Sequence, residues 1–174
     1  MGEFKEEKEK NFYKLLSLID DKDFKEWALR NKNALICRPK SIRDSYLDAL
    51  EEEDLSTFNV PLFFRGEVYF ANLSPNKSAK IRPVVILQNN YLNRAVYYHL
   101  YQNILIAPLT SRVYGGDYRV LIKKRDNLIK DSEVVLNAIG IILAQRVLFN
   151  RGVVTKLNKE ELQEIKEKLN NLLS

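Results

Sequence analysis

The hydrophobic period of the chain changes near residue 65. Before it, apolar residues recur three and four apart, at Phe12, Leu15, Leu16 and Ile19 and again at Phe24, Trp27 and Ala28, the spacing of one helix face. Asp20-Asp21-Lys22-Asp23 interrupts the pattern, and Asp21 or Asp23 can cap a second helix, so residues 3–32 are predicted to form a helical hairpin. Arg38-Pro39-Lys40 ends helix, because the residue before a proline is pushed out of the α region. Ser41-Ile42-Arg43-Asp44 offers a fresh cap, with a third helix predicted over 42–54, and Leu55 to Phe64 reads as an extended linker around Pro61. The expected division is 1–60, a helical N-terminal extension, and 61–174, a domain of another kind.

From Arg65 onward β-branched and aromatic residues replace Glu, Lys and Leu, and the period shortens to that of strands. Predicted strands cover 66–72, 83–89, 102–109, 117–123 and 133–143, with shorter ones at 146–149 and 152–156. Connections mostly too short for helical crossovers favour antiparallel pairing in a small, strongly bent barrel. Val113-Tyr114-Gly115-Gly116-Asp117 is a turn supplying positive-φ positions. Asn158 with Glu161 three residues on forms a capping-box start, after which Leu162, Ile165, Leu169 and Leu172 mark one face of a terminal helix that packs on the barrel. The predicted fold class is α+β, mainly β.

Composition narrows the field. A 174-residue chain with 45% hydrophobic content can bury a real core. The single cysteine, Cys37, cannot close an internal disulfide, and a single histidine with no second thiol leaves no zinc spacing, so neither metal nor cofactor is expected. No secretory leader opens the chain and no apolar run approaches the roughly 18 residues that span a bilayer, which points to a cytoplasmic protein without a membrane partner. The net charge of +5 conceals an asymmetry: residues 1–60 hold 11 Lys/Arg against 14 Asp/Glu, residues 61–174 hold 17 against 9. A polyanionic partner would be steered to the second part.

Two polar ends stand out among the strands, Arg82-Pro83 at the entry to the second and Thr110-Ser111 at the exit of the third. A guanidinium is a natural phosphate clamp, and hydroxyls just past a strand end sit on a rigid rim where a ligand can reach them. On the residues alone, Arg82 can equally be a surface arginine pairing a carboxylate such as Glu67, and Thr110 a strand-end hydroxyl bonding its own backbone. The lone His99 excludes a two-histidine acid/base mechanism. Tyr91, Tyr97, Tyr98 and Tyr101 with Arg94 suit either stacking of unpaired bases or a dimer interface. Lys123-Lys124-Arg125 reads as a solvated hairpin tip able to add phosphate contacts.

Taken in order, RGEVYFANLSP, IRPVVILQNN, IAPLTS, DSEVVL and AQRV, closed by NKEELQEIKEKL, resemble the MazF/PemK family of endoribonuclease toxins over about 65–173. The resemblance implies an SH3-like or CcdB-like antiparallel barrel with a C-terminal helix, a homodimer, metal-independent cleavage of single-stranded RNA by 2′-OH attack, and inhibition by a cognate antitoxin. It carries the arginine of the family's RP element onto Arg82 and the threonine of its TS element onto Thr110, as catalytic residues, with Ser111 beside them. In that role a guanidinium binds phosphoryl oxygens in a fork and a hydroxyl donates a further hydrogen bond to them. Electrostatic stabilisation is the safer role for the arginine, because free arginine holds its proton up to a pH above about 12.

The chain departs from the family in two segments and in the place of its only histidine, His99, which falls in the 90–101 connection, far from the loop position where some relatives use one. Between Ser74 and Arg82 the family carries a longer, glycine-containing loop, whereas Asn76 to Ile81 is short and basic; Lys77, Ser78 and Lys80 are its candidates for holding RNA. After DSEVVL the family has a polar stretch, whereas 138–142 is mostly apolar and leaves Asn137 as the polar candidate. These departures keep open a catalytically degenerate barrel that binds RNA or protein, and the fold also admits a CcdB-like topoisomerase inhibitor. The acidic and apolar segment 48–58 suggests a strip laid across the basic groove in place of an antitoxin; a helical appendage enlarging the core or the dimer interface is the plainer expectation for 1–60.

Overall fold

The computed structural model describes residues 2–36, 60–74 and 79–174. The predicted helix over 42–54, the acidic segment 48–58, Cys37, Lys77 and Ser78 lie outside the described residues.

The helical start is as predicted, with one element more. Helix α1 spans Gly2–Ser17, α2 Lys22–Arg30 and a short α3 Lys32–Ile36. Asp21 is the N-cap of α2, extended in backbone and accepting the Phe24 amide at 3.1 Å, which supplies one of the unpaired first-turn donors with a partner.

Strands follow at β1 Glu67–Asn72, β2 Ile81–Ile86, β3 Asn103–Thr110, β4 Arg119–Ile122, β5 Ser132–Val135, β6 Gly140–Leu143 and β7 Thr155–Lys156. All the pairings are antiparallel, in the order β4-β5-β3-β2-β1-β7, with β6 also on β3. This is a curled half-barrel. A single predicted strand over 133–143 is in fact two, because the 3₁₀ turn Leu136–Ala138 turns the chain after β5 has paired β4 and β3 and lets β6 return to another part of β3. The predicted strand at 146–149 is replaced by 3₁₀ turns at Ala144–Arg146 and Phe149–Arg151, leaving only a bridge between Val147 and Ala71. Helix α4, Asn90–Tyr97, capped by Asn89, lies within a stretch whose residues read as a plain connection. The terminal helix α5, Lys159–Leu172, carries the expected capping box between Asn158 and Glu161.

Alternate residues of β1, β2 and β3 enter two separate cores, as the two-residue period of a strand requires. Val68, Val85, Ala107 and Leu109 face inward with Val120, Ile122, Val134 and Leu136, and Ile165 of α5 closes that core. Tyr69, Ala71, Val84, Ile86, Ile104 and Ile106 face outward and meet Ala95 and Val96 of α4 and Phe12, Leu16, Phe24, Ala28, Leu35 and Ile36 of the N-terminal helices. Gly66 lets α5 approach: its φ is +90°, and an added Cβ would stand 3.1 Å from Leu162 Cδ1.

The aromatic and cationic set between 90 and 101 turns inward to this outer core. Tyr91 stacks on Trp27 with ring centroids 5.4 Å apart, Tyr98 packs on Phe24 at 4.9 Å, and Tyr101 is buried. Arg94 donates to Asp21 at 2.9 Å while lying over the Tyr91 ring. Of the residues read as a base-stacking or dimer surface, Tyr91, Arg94 and Tyr98 therefore dock on α2, while Tyr97 stays exposed. Arg125 likewise is no solvated tip: it forks onto Glu161 of α5 at 2.7 and 2.9 Å and bonds the Lys156 carbonyl, tying the β4–β5 connection to the terminal helix.

Candidate functional site

Inward burial stops at the ends of β2 and β3. Ile81 and Arg82 are exposed at the entry to β2 while Val84, Val85 and Ile86 are buried, and β3 ends at the half-buried Thr110. The β2–β3 register includes Val84 opposite Pro108, and continuing it two residues brings Arg82 level with Thr110. Both line one cleft of about 720 Å3 with Pro83, Ser111, Arg112, Tyr114, Arg119, Asn127 and Lys130. Among the described residues, four cations line this cleft and no carboxylate does. Phe70 and Leu128 contribute to an apolar floor.

The alternative partner for Arg82 is ruled out by geometry. Glu67 is buried, accepts the Phe64 amide at 2.6 Å and the Tyr69 hydroxyl at 3.3 Å, and faces Lys156 at 3.7 Å. Burial and the Glu67 carboxylate together push the Tyr69 phenol well up. Among the described residues Arg82 makes no ion pair, so its guanidinium is available to an incoming anion. Thr110 Oγ1 does accept a local backbone bond, from the Arg112 amide at 3.2 Å, and this leaves the hydroxyl proton to donate outward.

One wall of the cleft is built around a buried carboxylate. Glu133 on β5, 2% exposed, lies opposite Thr110 in the β3–β5 ladder. It accepts the Gly115 amide at 2.7 Å and Arg119 Nη1 at 3.0 Å. Arg119 also donates to the Arg112 carbonyl at 3.0 Å and lies 5.2 Å from the Tyr114 ring. Gly115 and Gly116, at φ +72° and +111°, make the turn that carries these groups round to Glu133. Burial raises the Glu133 pKa, but the Gly115 and Tyr114 amides and Arg119 outweigh it and hold the carboxyl below its ordinary range.

Of the residues anticipated from sequence, Arg82, Thr110 and Ser111 come together in the cleft. Lys80 is exposed beyond it, with its backbone bonded to Asn72 and Leu73. Asn137 is exposed on the 3₁₀ turn, next to Ala138 of the cleft lining. Sequence reasoning misses Arg112, Arg119 and Lys130: each reads locally as one more cation beside a turn, and only the pairing of β4 with β5 and of β5 with β3 gathers them. The one legible hint is Glu133, a charge set among the apolar residues of DSEVVL. His99 takes no part in the cleft lining and sits at φ +63° beyond α4.

The fold is a curled antiparallel half-barrel closed by a terminal helix, with a cation-lined cleft at its rim. The family model for the PemK-like, MazF-like toxin of type II toxin-antitoxin systems matches residues 64–173, and the chain belongs to that family. It is 29% identical over 111 residues to the endoribonuclease EndoA of Bacillus subtilis (strain 168), spanning 60% of this chain and 89% of that protein. Among solved structures it is similar to the Mycobacterium tuberculosis toxin MazF-mt6, with a TM-score of 0.51 at 20% identity over 62% of this chain and 95% of the other. It is also similar to the MazE-MazF structure (Form-III) from Deinococcus radiodurans, with a TM-score of 0.52 at 18% identity over 65% of this chain and 97% of the other.

Proposed function

We propose that the protein is the toxin of a type II toxin-antitoxin system and cleaves single-stranded RNA at the cleft, with Arg82 and Thr110 as its catalytic residues. The observation that carries the reading is an Arg82 with no ion pair among the described residues, sharing a cation-lined cleft with the Thr110 hydroxyl in a chain of this family. In the reaction a ribose 2′-oxygen bonds to the adjacent phosphorus and the bond to the 5′-oxygen breaks. The product ends are a 2′,3′-cyclic phosphate and a 5′-hydroxyl, and protons are exchanged with water. Negative charge grows on the non-bridging oxygens, where a guanidinium fork and a hydroxyl donor are stronger in the transition state than in the ground state. Ser111 and Asn137, together with Lys77, Ser78 and Lys80, are taken as the residues that add contacts to the RNA strand.

The mechanism needs no metal ion: four cations and, among the described residues, no carboxylate make the cleft an unfavourable place for a divalent cation. A cognate antitoxin would present an acidic segment to the same cations. A homodimer would use a surface other than the outer sheet face, which α1 to α4 already occupy. We take 61–174 as the family domain, 1–60 as an extension sharing its outer core, and the cytoplasm, where messenger RNA lies, as the place of action; no described helix is long and apolar enough to cross a membrane.

The test is incubation with a long single-stranded RNA in EDTA, beside Arg82→Ala. Fragments ending in cyclic phosphate, lost in the variant, support the proposal. RNA that is shifted in a gel but intact supports a binding barrel instead.

A further inference from the structure

We propose that Glu133 is a positioning residue that holds Arg119 in the cleft as a second phosphate-binding guanidinium beside Thr110. The inference rests on the RNA-cleaving reading and extends it to a residue that does not reach the substrate. A carboxylate that is 2% exposed is costly to keep in a sheet unless its oxygens are bonded, and those of Glu133 are, one by the Gly115 amide and the other by Arg119. The two bonds fix the turn and the arginine together, on the strand position directly across from Thr110. The same Nη1 of Arg119 also donates to the Arg112 carbonyl, yet the side chain remains partly exposed and lines the cleft. One edge of the guanidinium is thus tied to the protein, and the remaining N–H groups are left for an anion, the arrangement in which a long side chain loses least freedom on binding.

The contrast with Arg125 sharpens the assignment. Arg125 gives both its terminal nitrogens to Glu161 and the Lys156 carbonyl and lines no part of the cleft. Glu133 faces its arginine with a single oxygen and gives the other to the turn.

The experiment measures binding of a fluorescent 2′-O-methyl RNA oligomer, which cannot be cut, across a salt series, for the wild type, Arg82→Ala, Arg119→Ala, Glu133→Gln and the Arg119→Ala/Glu133→Gln double variant. Thermal unfolding is recorded for each. Leaving one phosphate of a single strand without its cation lowers the steepness of log K against log salt by about 0.7. Arg119→Ala is expected to show that drop with binding about tenfold weaker, Glu133→Gln a drop in the same direction, and the double variant no more than Arg119→Ala alone. A Glu133→Gln protein that melts earlier but binds with wild-type affinity and slope, or a double variant with additive effects, overturns the proposal and assigns Glu133 to the turn alone. Binding weakened by Arg82→Ala but untouched by Arg119→Ala also overturns it and leaves the RNA reading standing. A wild type that ignores the oligomer overturns both.

Discussion

The two faces of one sheet do opposite work. The outer face of β1, β2, β3 and β6 is dry and apolar, and at its margin the charged pair Asp21–Arg94 anchors α2 to α4. The cleft lies where those strands run out, and its polar groups are partly wet and unequal in number, with four cations and, among the described residues, no carboxylate. Strands buried on both sides must be apolar at consecutive positions, which is why IRPVVIL and NILIAPL read as nearly continuous runs. A polar residue at the end of such a run marks where burial stops, and it is there that Arg82 and Thr110 stand. The lesson is that stability and chemistry are divided along each strand, with the core in the middle and the site at the tip.

Substitutions can break that division. The largest expected effect is on the outer face: Phe24→Ala, at a fully buried ring against Trp27 and Tyr98, should cost about 3–5 kcal/mol in urea unfolding, with the cleft chemistry of the folded fraction unchanged. A cost below about 1 kcal/mol would mean the helices are an ornament rather than part of the core. Next comes Arg82→Ala, expected to slow RNA cleavage by about 10²–10³-fold while leaving the unfolding midpoint in place, because the side chain is exposed and makes no ion pair among the described residues. Thr110→Val should slow cleavage about tenfold, the worth of one hydrogen bond to developing charge. Asp21→Ala removes both a helix cap and the Arg94 partner, at a cost of about 1–2 kcal/mol by thermal unfolding and nothing in RNA affinity.

The smallest effect is one of pH. Burial pushes the Glu161 carboxyl up, but Arg125 and the Asn158 amide outweigh it and hold its pKa below the ordinary carboxylate range. A group lowered on folding stabilises above its unfolded pKa, near about 4.3, and that contribution fades as pH falls through the lowered folded value. Glu161→Gln should therefore lower stability modestly near neutrality, where that contribution is fully present, and converge on the wild type at low pH, flattening the acid side of a stability-against-pH curve.

Much of this is legible in the residues. The switch of period at 65, the cap at Asp21, the Gly115-Gly116 turn and the Asn158/Glu161 capping box are local signals, and local geometry carries them through. The resemblance to the toxin family points to Arg82 and Thr110, and the fold puts both in the lining of one cleft. What is not legible depends on long-range pairing. The division of 133–143 into β5 and β6 follows from β3 being long enough to pair both, which no property of the segment itself announces. Helix α4 is hidden because Tyr91, Tyr97 and Tyr98 favour strands by propensity, and tertiary packing on Phe24 and Trp27 overrides that preference. Arg112, Arg119 and Lys130 join the site only through the curl of the sheet.

The outer core also sets an order of events at the ribosome. Phe24 and Leu35 leave the exit tunnel long before Ile104, Ile142 and Val147, against which the same core is completed roughly a hundred residues later. At ordinary elongation rates that gap lasts roughly 5–20 s. During it the first helices lack the sheet's share of their core, and closing that core requires contacts of high sequence separation, which form slowly. The outer core thus waits for residues as far along as Val147 before it can close.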